Sequence, residues 1–259
     1  MCVVSVIIPA YNAESTISSA LDSVFIQNLD PAQFKIIIID DGSQDATVQI
    51  VKKYKNKYPD RINLVRQKNA GPAAARNAGV ALADTPYIAF LDADDRWLQG
   101  KLQAQIEVLN KNPGVALVCT PMNGKKFKSR SDLIKISYKS LLLSNRIYTS
   151  SVIVRKNVFT ALGQFNPTRR LSEDYELWLK IAATSTILAI NRPYLLYTKN
   201  TGISSKLWNM ERGELETYRI IYNERLISEI LYTSLRYWSL SKFFYRYLLT
   251  IQSRWSTKW

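Results

Sequence analysis

The stretch Phe90-Leu91-Asp92-Ala93-Asp94-Asp95 sets three carboxylates within four residues, directly after the apolar run Tyr87 to Leu91. Such a run reads as a buried strand, so the acids stand where the strand leaves the core. Carboxylates select hard cations such as Mg²⁺ or Mn²⁺. These ions commonly bind through one or two protein carboxylates plus substrate phosphates. Asp92 and Asp94, one residue apart in a tight turn, can meet one ion, or one ion and a ribose hydroxyl. The plainer alternative is a solvated turn. A second acidic pair, Glu173-Asp174, opens the segment SEDYELWLKIA at residues 172–182. Acids there suit the positive end of a helix dipole; one of them could equally serve as a general base.

Elimination narrows the chemistry. The chain has no histidine, which excludes a Ser-His-Asp triad, Cys-His chemistry and every histidine metal site. Two cysteines, Cys2 and Cys119, are too few for a zinc site or a disulfide framework and fit a reducing compartment. Any metal must therefore be held by oxygen. The loop after the first apolar run is Pro9-Ala10-Tyr11-Asn12, not a glycine-rich dinucleotide fingerprint, and no P-loop sequence is present. The net charge of +14 favours an anionic partner: nucleic acid, an anionic membrane surface or a phosphorylated ligand.

The elements that must position these residues alternate along the first half. Val3 to Pro9 reads as a strand, and Ile17, Ala20, Leu21, Val24 and Phe25 recur at helical spacing with Asn12 as a cap. Lys35 to Ile39 contains four consecutive isoleucines, the pattern of a central parallel strand buried on both faces. Ser43 or Asp45 is expected to cap a helix toward Tyr58. Ile62 to Val65 is the third strand, and Pro72 opens a helix through Leu82. Tyr87 to Leu91 is the fourth strand, Leu102 to Leu109 a helix and Val115 to Thr120 the fifth strand. This order implies an α/β fold with a mostly parallel central sheet flanked by helices. Ligands in such sheets bind beyond the carboxyl ends of the strands. There lie three polar loops: Pro9–Asn12, Asp40–Ser43 and Asp92–Asp95. Beyond them, residues 121–150 read as a loop region with a basic cluster (Lys125, Lys126, Lys128, Arg130). Ser151 to Val154 and Thr186 to Ile190 read as strands, Ser172 as a helix cap, and the chain from Leu207 onward as helical. The 259 residues suit one large domain or one domain with an appendage. The N-terminus reads as a strand rather than a signal peptide. No run of about 18 apolar residues occurs, so no transmembrane helix is expected.

These segments together resemble the family-two inverting glycosyltransferases, with their nucleotide-sugar-binding GT-A fold. VSVIIPAYNAE is similar to that family's opening strand and loop, IIIIDDGSQDAT to its second motif, and NAGPAAARNAGVALADTPYIAFLDADD to the segment leading into its metal motif. TSSVIVRKNVFTALGQFN followed by SEDYELWLKIA is similar to its acceptor-side segment and Glu-Asp motif. The match runs from Val3 to Ser205. It implies a catalytic domain over residues 1–205, with a nucleotide-sugar half at 1–120 and an acceptor half at 121–205. Residues 206–259 would form a basic, aromatic helical tail. It further implies that Pro9, Tyr11 and Asp41 hold the base and ribose of the donor and that Arg76 sits near the diphosphate. Asp92 and Asp94 would be the sugar-nucleotide and metal pair, and Asp174 the general base with Glu173 beside it on the acceptor side. Two positions depart from the pattern. Asn200 stands where the family often has a histidine, and Gln252-Ser253-Arg254-Trp255 lacks the spacing of the processive members' motif, so one sugar per encounter is expected.

The expectation is thus a metal-dependent transferase moving a hexose from a nucleotide-sugar donor, a UDP-sugar, to a lipid-linked or polysaccharide acceptor. The competing class is a non-catalytic nucleotide-sugar-binding protein of the same fold. Ile230 to Trp259 contains no acid, and its bases alternate with aromatics. That mixture suits contact with an anionic membrane surface, packing on the domain, or oligomerisation, with nucleic acid set aside. The tail's apolar residues do not fall on one clean face. A cytoplasmic location, peripheral on the inner face of a membrane, follows from the same balance.

Overall fold

The computed structural model describes residues 2–169, 171–198 and 207–256, with side chains of the last helix described as far as Leu249. The N-terminal half runs β1 (Val4–Ala10), α1 (Ile17–Phe25), β2 (Phe34–Asp40), α2 (Thr47–Lys57), β3 (Ile62–Arg66), α3 (Pro72–Leu82), β4 (Tyr87–Phe90), β5 (Arg96–Trp97), α4 (Lys101–Lys111) and β6 (Val115–Cys119). The rest is β7 (Leu133–Ile136), α5 (Tyr138–Leu143), β8 (Ile153–Arg155), α6 (Lys156–Ala161), α7 (Glu173–Thr184), β9 (Thr186–Ile190), β10 (Leu195–Leu196), α8 (Leu207–Asn223) and α9 (Glu229–Ser256).

Among the described residues these strands form one eight-stranded sheet, ordered β3-β2-β1-β4-β8-β6-β9-β7, and a two-stranded ribbon, β10-β5. β3, β2, β1 and β4 are mutually parallel, as are β6 and β9. β8 runs antiparallel between β4 and β6, and β7 antiparallel on the outer edge. The expected α/β sheet is present, but the fifth strand is not the fourth strand's neighbour. β8, from much later in the chain, is inserted between them, and chain order carries no trace of that.

The isoleucine run of β2 shows why the sheet is covered on both faces. Ile36 and Ile38 join a core with Ile17, Leu21, Val51 and Leu102, from α1, α2 and α4. Ile37 and Ile39 join a second core with Ala75, Leu141, Phe159 and Trp178, from α3 and α5 to α7. Successive residues point to opposite faces, so each pair serves one layer. At Gly79 α3 lies close against the sheet: a Cβ there would be 2.4 Å from Ile7 Cγ2 on β1. Only glycine admits that contact, and it fixes the height of α3 over the sheet.

Some local expectations are corrected. Residues 121–150 hold β7 and α5 as well as loop. Asn12 caps nothing: at φ 47° its side chain accepts the Gln44 N–H, and α1 begins later, at Ile17. Ser172 stands at the cap position of α7 in a left-handed conformation without a capping hydrogen bond, because a capping side chain needs extended backbone at that residue.

The C-terminal helices are not a detached tail. α8 buries Tyr218 and Ile221 in the second core, and α9 contributes Leu235. Lys242 on α9 pairs with Glu214 on α8 at 2.6 Å. The apolar residues of α9 divide into an inner face, Leu235 among them, and an outer face exposed to solvent. That division is why no single apolar face is apparent in the sequence. No helix among the described residues is long and apolar enough to cross a membrane. Lys199 and Asn200, and the side chains of Gln252 to Trp255, lie outside the described residues.

Candidate functional site

The parallel strands β1, β2 and β4 end side by side, so their trailing loops share one rim. The first two loops are laced together. Asn12 N–H donates to Ser43 Oγ (3.0 Å) and Ala13 N–H to Thr47 Oγ1 (2.7 Å). Glu14 N–H donates to Asp45 Oδ2, while Ala46 N–H donates back to Glu14 Oε2. Pro9 lies within β1, paired with Ile39, and Tyr11 leaves the loop half exposed.

Asp41 is buried at the end of β2. Its carboxylate accepts the N–H groups of Ala70 and Gly71 (2.9 and 2.8 Å) and Gln67 Nε2 (2.7 Å). It thus holds the loop that enters α3. The sequence offered no sign of this use; the resemblance had implied only a donor contact.

Arg76, one turn into α3, is the hub. Its guanidinium donates to Asp92 Oδ1 at 2.6 Å and to Glu173 Oε1 at 3.0 Å, and it lies over the Phe165 ring. Burial alone would lower its pKa, but the facing charges of Asp92 and Glu173 raise it. The acids after β4 and the acids opening α7 therefore meet around one cation, although they lie 97 positions from Arg76 in one case and 16 in the other.

Asp174 is one residue beyond. Thr149 Oγ1 donates to its Oδ2 at 2.9 Å, and Tyr175 N–H to its Oδ1 at 2.7 Å. Burial, then the neighbouring Glu173 charge, pushes its carboxyl up to about 6. Thr149 belongs to a short 3₁₀ turn, Thr149–Ser151, which serves both sides of the site. Ser150 Oγ accepts Asp92 N–H (3.1 Å), and Ser150 O accepts the Trp97 indole N–H (2.7 Å). Sequence reasoning missed Thr149 and Ser150; three consecutive small hydroxyl residues ahead of a strand were the available signal.

α7 is itself fixed from behind. The buried Arg169 donates to Glu176 Oε2 (2.9 Å), Thr217 Oγ1 and Gly213 O, tying α7 to α8. Gly213 presses close: a Cβ there would lie 2.3 Å from Ser172 Oγ.

The donor set suits a hard divalent cation. Asp92 and Asp94 are half-buried acids at one strand end, and Asp95 Oδ2 is buried with no hydrogen-bond partner among the described residues. Burial and the Asp92 charge raise the Asp95 carboxyl to about 7. Thr198 N–H and Oγ1 hold this loop through Asp95 Oδ1 and Asp94 O. Among the described residues no group of three acids forms a complete cage. An ion here would be held by Asp92 and Asp94 and would take its remaining ligands from a diphosphate and water.

Known proteins resemble the chain as follows. The model of the family described as Glycosyl transferase family 2 matches residues 5–171. The chain is 34% identical over 196 residues to an Escherichia coli protein, UDP-Glc:alpha-D-GlcNAc-diphosphoundecaprenol beta-1,3-glucosyltransferase WfgD, covering 73% of each. It spans 41% or 32% of the lengths of three other curated relatives. Among solved structures, S. aureus TarS 1-349 in complex with UDP-GlcNAc superimposes with a TM-score of 0.74 at 22% identity, over 90% of this chain and 70% of that one. The mannosyltransferase PcManGT from Pyrobaculum calidifontis, in complex with GDP-Man and Mn²⁺, gives 0.69 at 20% identity, over 85% and 64%. At these identities the likeness is one of fold.

Proposed function

The chain belongs to glycosyl transferase family 2, and from that premise we propose that it transfers a sugar, with inversion, from a UDP-sugar to a hydroxyl of a lipid-linked saccharide acceptor in surface-polysaccharide synthesis. The uridine nucleotide in WfgD's name and in the TarS complex supports the donor; the diphosphoundecaprenol in WfgD's name supports the acceptor. The observation that carries the reading is the Arg76 bridge, which joins donor-side Asp92 to the helix that begins with Glu173 and Asp174.

The residues divide the work. Pro9, Tyr11 and Asp41 line the base and ribose end of the rim, Asp41 also by fixing the 67–71 loop. Arg76 presents a permanent cation beside the diphosphate position. Asp92 and Asp94 would hold a Mg²⁺ or Mn²⁺ ion, which when bound would supply Lewis-acid stabilisation of the leaving diphosphate. Asp174, ionised above its raised pKa, accepts the proton of the acceptor hydroxyl. The bond from that oxygen to the anomeric carbon forms while the bond to the UDP oxygen breaks and the electron pair leaves with UDP. A base whose pKa lies close to the working pH is the most effective. Residues 1–205 make up this catalytic unit, with α8 and the start of α9 bracing it.

Isothermal calorimetry tests the donor side. UDP is expected to bind roughly ten-fold or more tightly with Mn²⁺ than with chelator, about 1.4 kcal/mol, and Asp94→Asn is expected to lose that difference. Equal affinity in chelator would remove Asp92 and Asp94 as ion ligands. Thr149→Val tests the base. Its hydroxyl stabilises the ionised carboxylate, so removing it raises the Asp174 pKa. Only the ionised form works, so the acidic limb of the kcat/KM profile should move upward from about 6, by roughly one unit. An unmoved limb would mean that Asp174 is not the titrating base.

A further inference from the structure

The outer face of α9 is large, apolar and unused by the proposed reaction. Ile230, Tyr237, Phe244 and Leu248 recur at helical spacing along one line, with Trp238 and Tyr245 on the adjacent line. All six are between 48% and 81% exposed. The opposite side of the helix is the one that packs, through Leu235 and Ser239. The face continues onto α5, because Trp238 Nε1 and Lys242 Nζ both reach Leu143 O and Leu143 is itself 49% exposed.

Composition and charge identify what covers this face. Residues 230–259 contain no acid and five bases, of which Lys242 is paired with Glu214 and Arg236, Arg246, Arg254 and Lys258 are the remaining four. Exposed Lys139 and Arg146 flank Leu143. Tyr and Trp beside aliphatic residues, in an acid-free basic segment, are the composition of a helix lying in the headgroup region of an anionic bilayer. The helix is not apolar enough to span one. We infer that α9 and the end of α5 dock this enzyme on an anionic membrane surface. Only residues 144–148 separate α5 from the turn that holds Asp174, so docking would bring the acceptor side toward the lipid. The inference stands on α9 itself and does not depend on which acceptor is used.

Sedimentation of the full chain with vesicles tests it. Phosphatidylethanolamine vesicles containing phosphatidylglycerol are expected to pellet the protein, and phosphatidylcholine alone or high salt is expected to release it. The triple variant Tyr237→Ser/Phe244→Ser/Leu248→Ser changes only exposed side chains. Its partitioning should fall about ten-fold or more, with UDP affinity unchanged. Failure to pellet with anionic vesicles overturns the inference. So does a triple variant that changes a self-associating protein into a monomer by light scattering while its vesicle binding stays the same, since a second copy would then cover the face. Neither result touches donor binding, so the transferase reading stands or falls separately.

Discussion

Asp174→Asn is expected to lower kcat by about 10²–10⁴-fold, the usual range for a lost general base, while UDP-sugar affinity stays within about two-fold of the parent. The substitution is nearly isosteric. Asn Oδ1 can still accept Tyr175 N–H, and Glu173 still anchors Arg76. What disappears is an oxygen able to take a proton. Single-turnover transfer and donor calorimetry measure the two parts independently. Near-parent turnover would show that another group, or none, takes the acceptor proton.

The same variant carries a stability signature. The folded-state pKa of Asp174 is raised from 3.8 to about 6 by burial and by Glu173. The protonated form is therefore the one that folding favours. That contribution is complete below the unfolded value, near 3.8, and is lost as pH rises through about 6. Ionised Asp174 is a cost to the fold at neutral pH. Asp174→Asn should then be at least as stable as the parent there, with its advantage shrinking as pH falls from about 6 towards about 4 and gone below that. Lost activity with retained or increased stability separates a functional acid from a structural one.

Arg76→Met is expected to be the most damaging single change to the fold of the site. The guanidinium is 7% exposed and faces Asp92 at 30% and Glu173 at 12%. Removing one partner of a buried pair leaves uncompensated charge and typically costs about 3–5 kcal/mol. Asp92 is exposed enough for water to recover part of its solvation, so the lower end, about 3 kcal/mol, is expected. Urea unfolding at unchanged m-value measures it. Adding Glu173→Gln should restore part of the loss, because the stranded charge is then gone. A loss below about 1 kcal/mol, or a double variant no better than the single, would show that the pair is not what holds α3 to α7. Arg76→Lys keeps the charge but not the planar fork that reaches two acids at once, and should fall between the parent and Met.

The sequence announces the framework where local chemistry is unambiguous. Four isoleucines in a row can only be buried on both faces, and β2 is so buried; Pro72 starts α3 where a missing N–H costs nothing. Strand adjacency is different. β8 enters between β4 and β6 from across residues 120–152, and no periodicity records that. β7 escaped notice because it is four residues long and the apolar Leu133 stands at an exposed position, so the sequence does not alternate although the burial does. Within the site, the acids were visible as acids. The contacts that orient them, Thr149 to Asp174, Ser150 to Asp92 N–H and Asp41 to the 67–71 loop, come from ordinary residue types whose partners lie 25 to 58 positions away. Nothing local marks them.

The Asp41 contact bears on what places α3. α3 starts without a capping side chain of its own, and the amides just ahead of it are satisfied by a carboxylate 30 positions upstream. Asp41 is itself held at the end of β1, its N–H donating to Ala10 O at 2.8 Å. The seat of Arg76 therefore rests on contacts remote in sequence as well as on its own helix, and such contacts carry a loop-closure cost that a local cap would not.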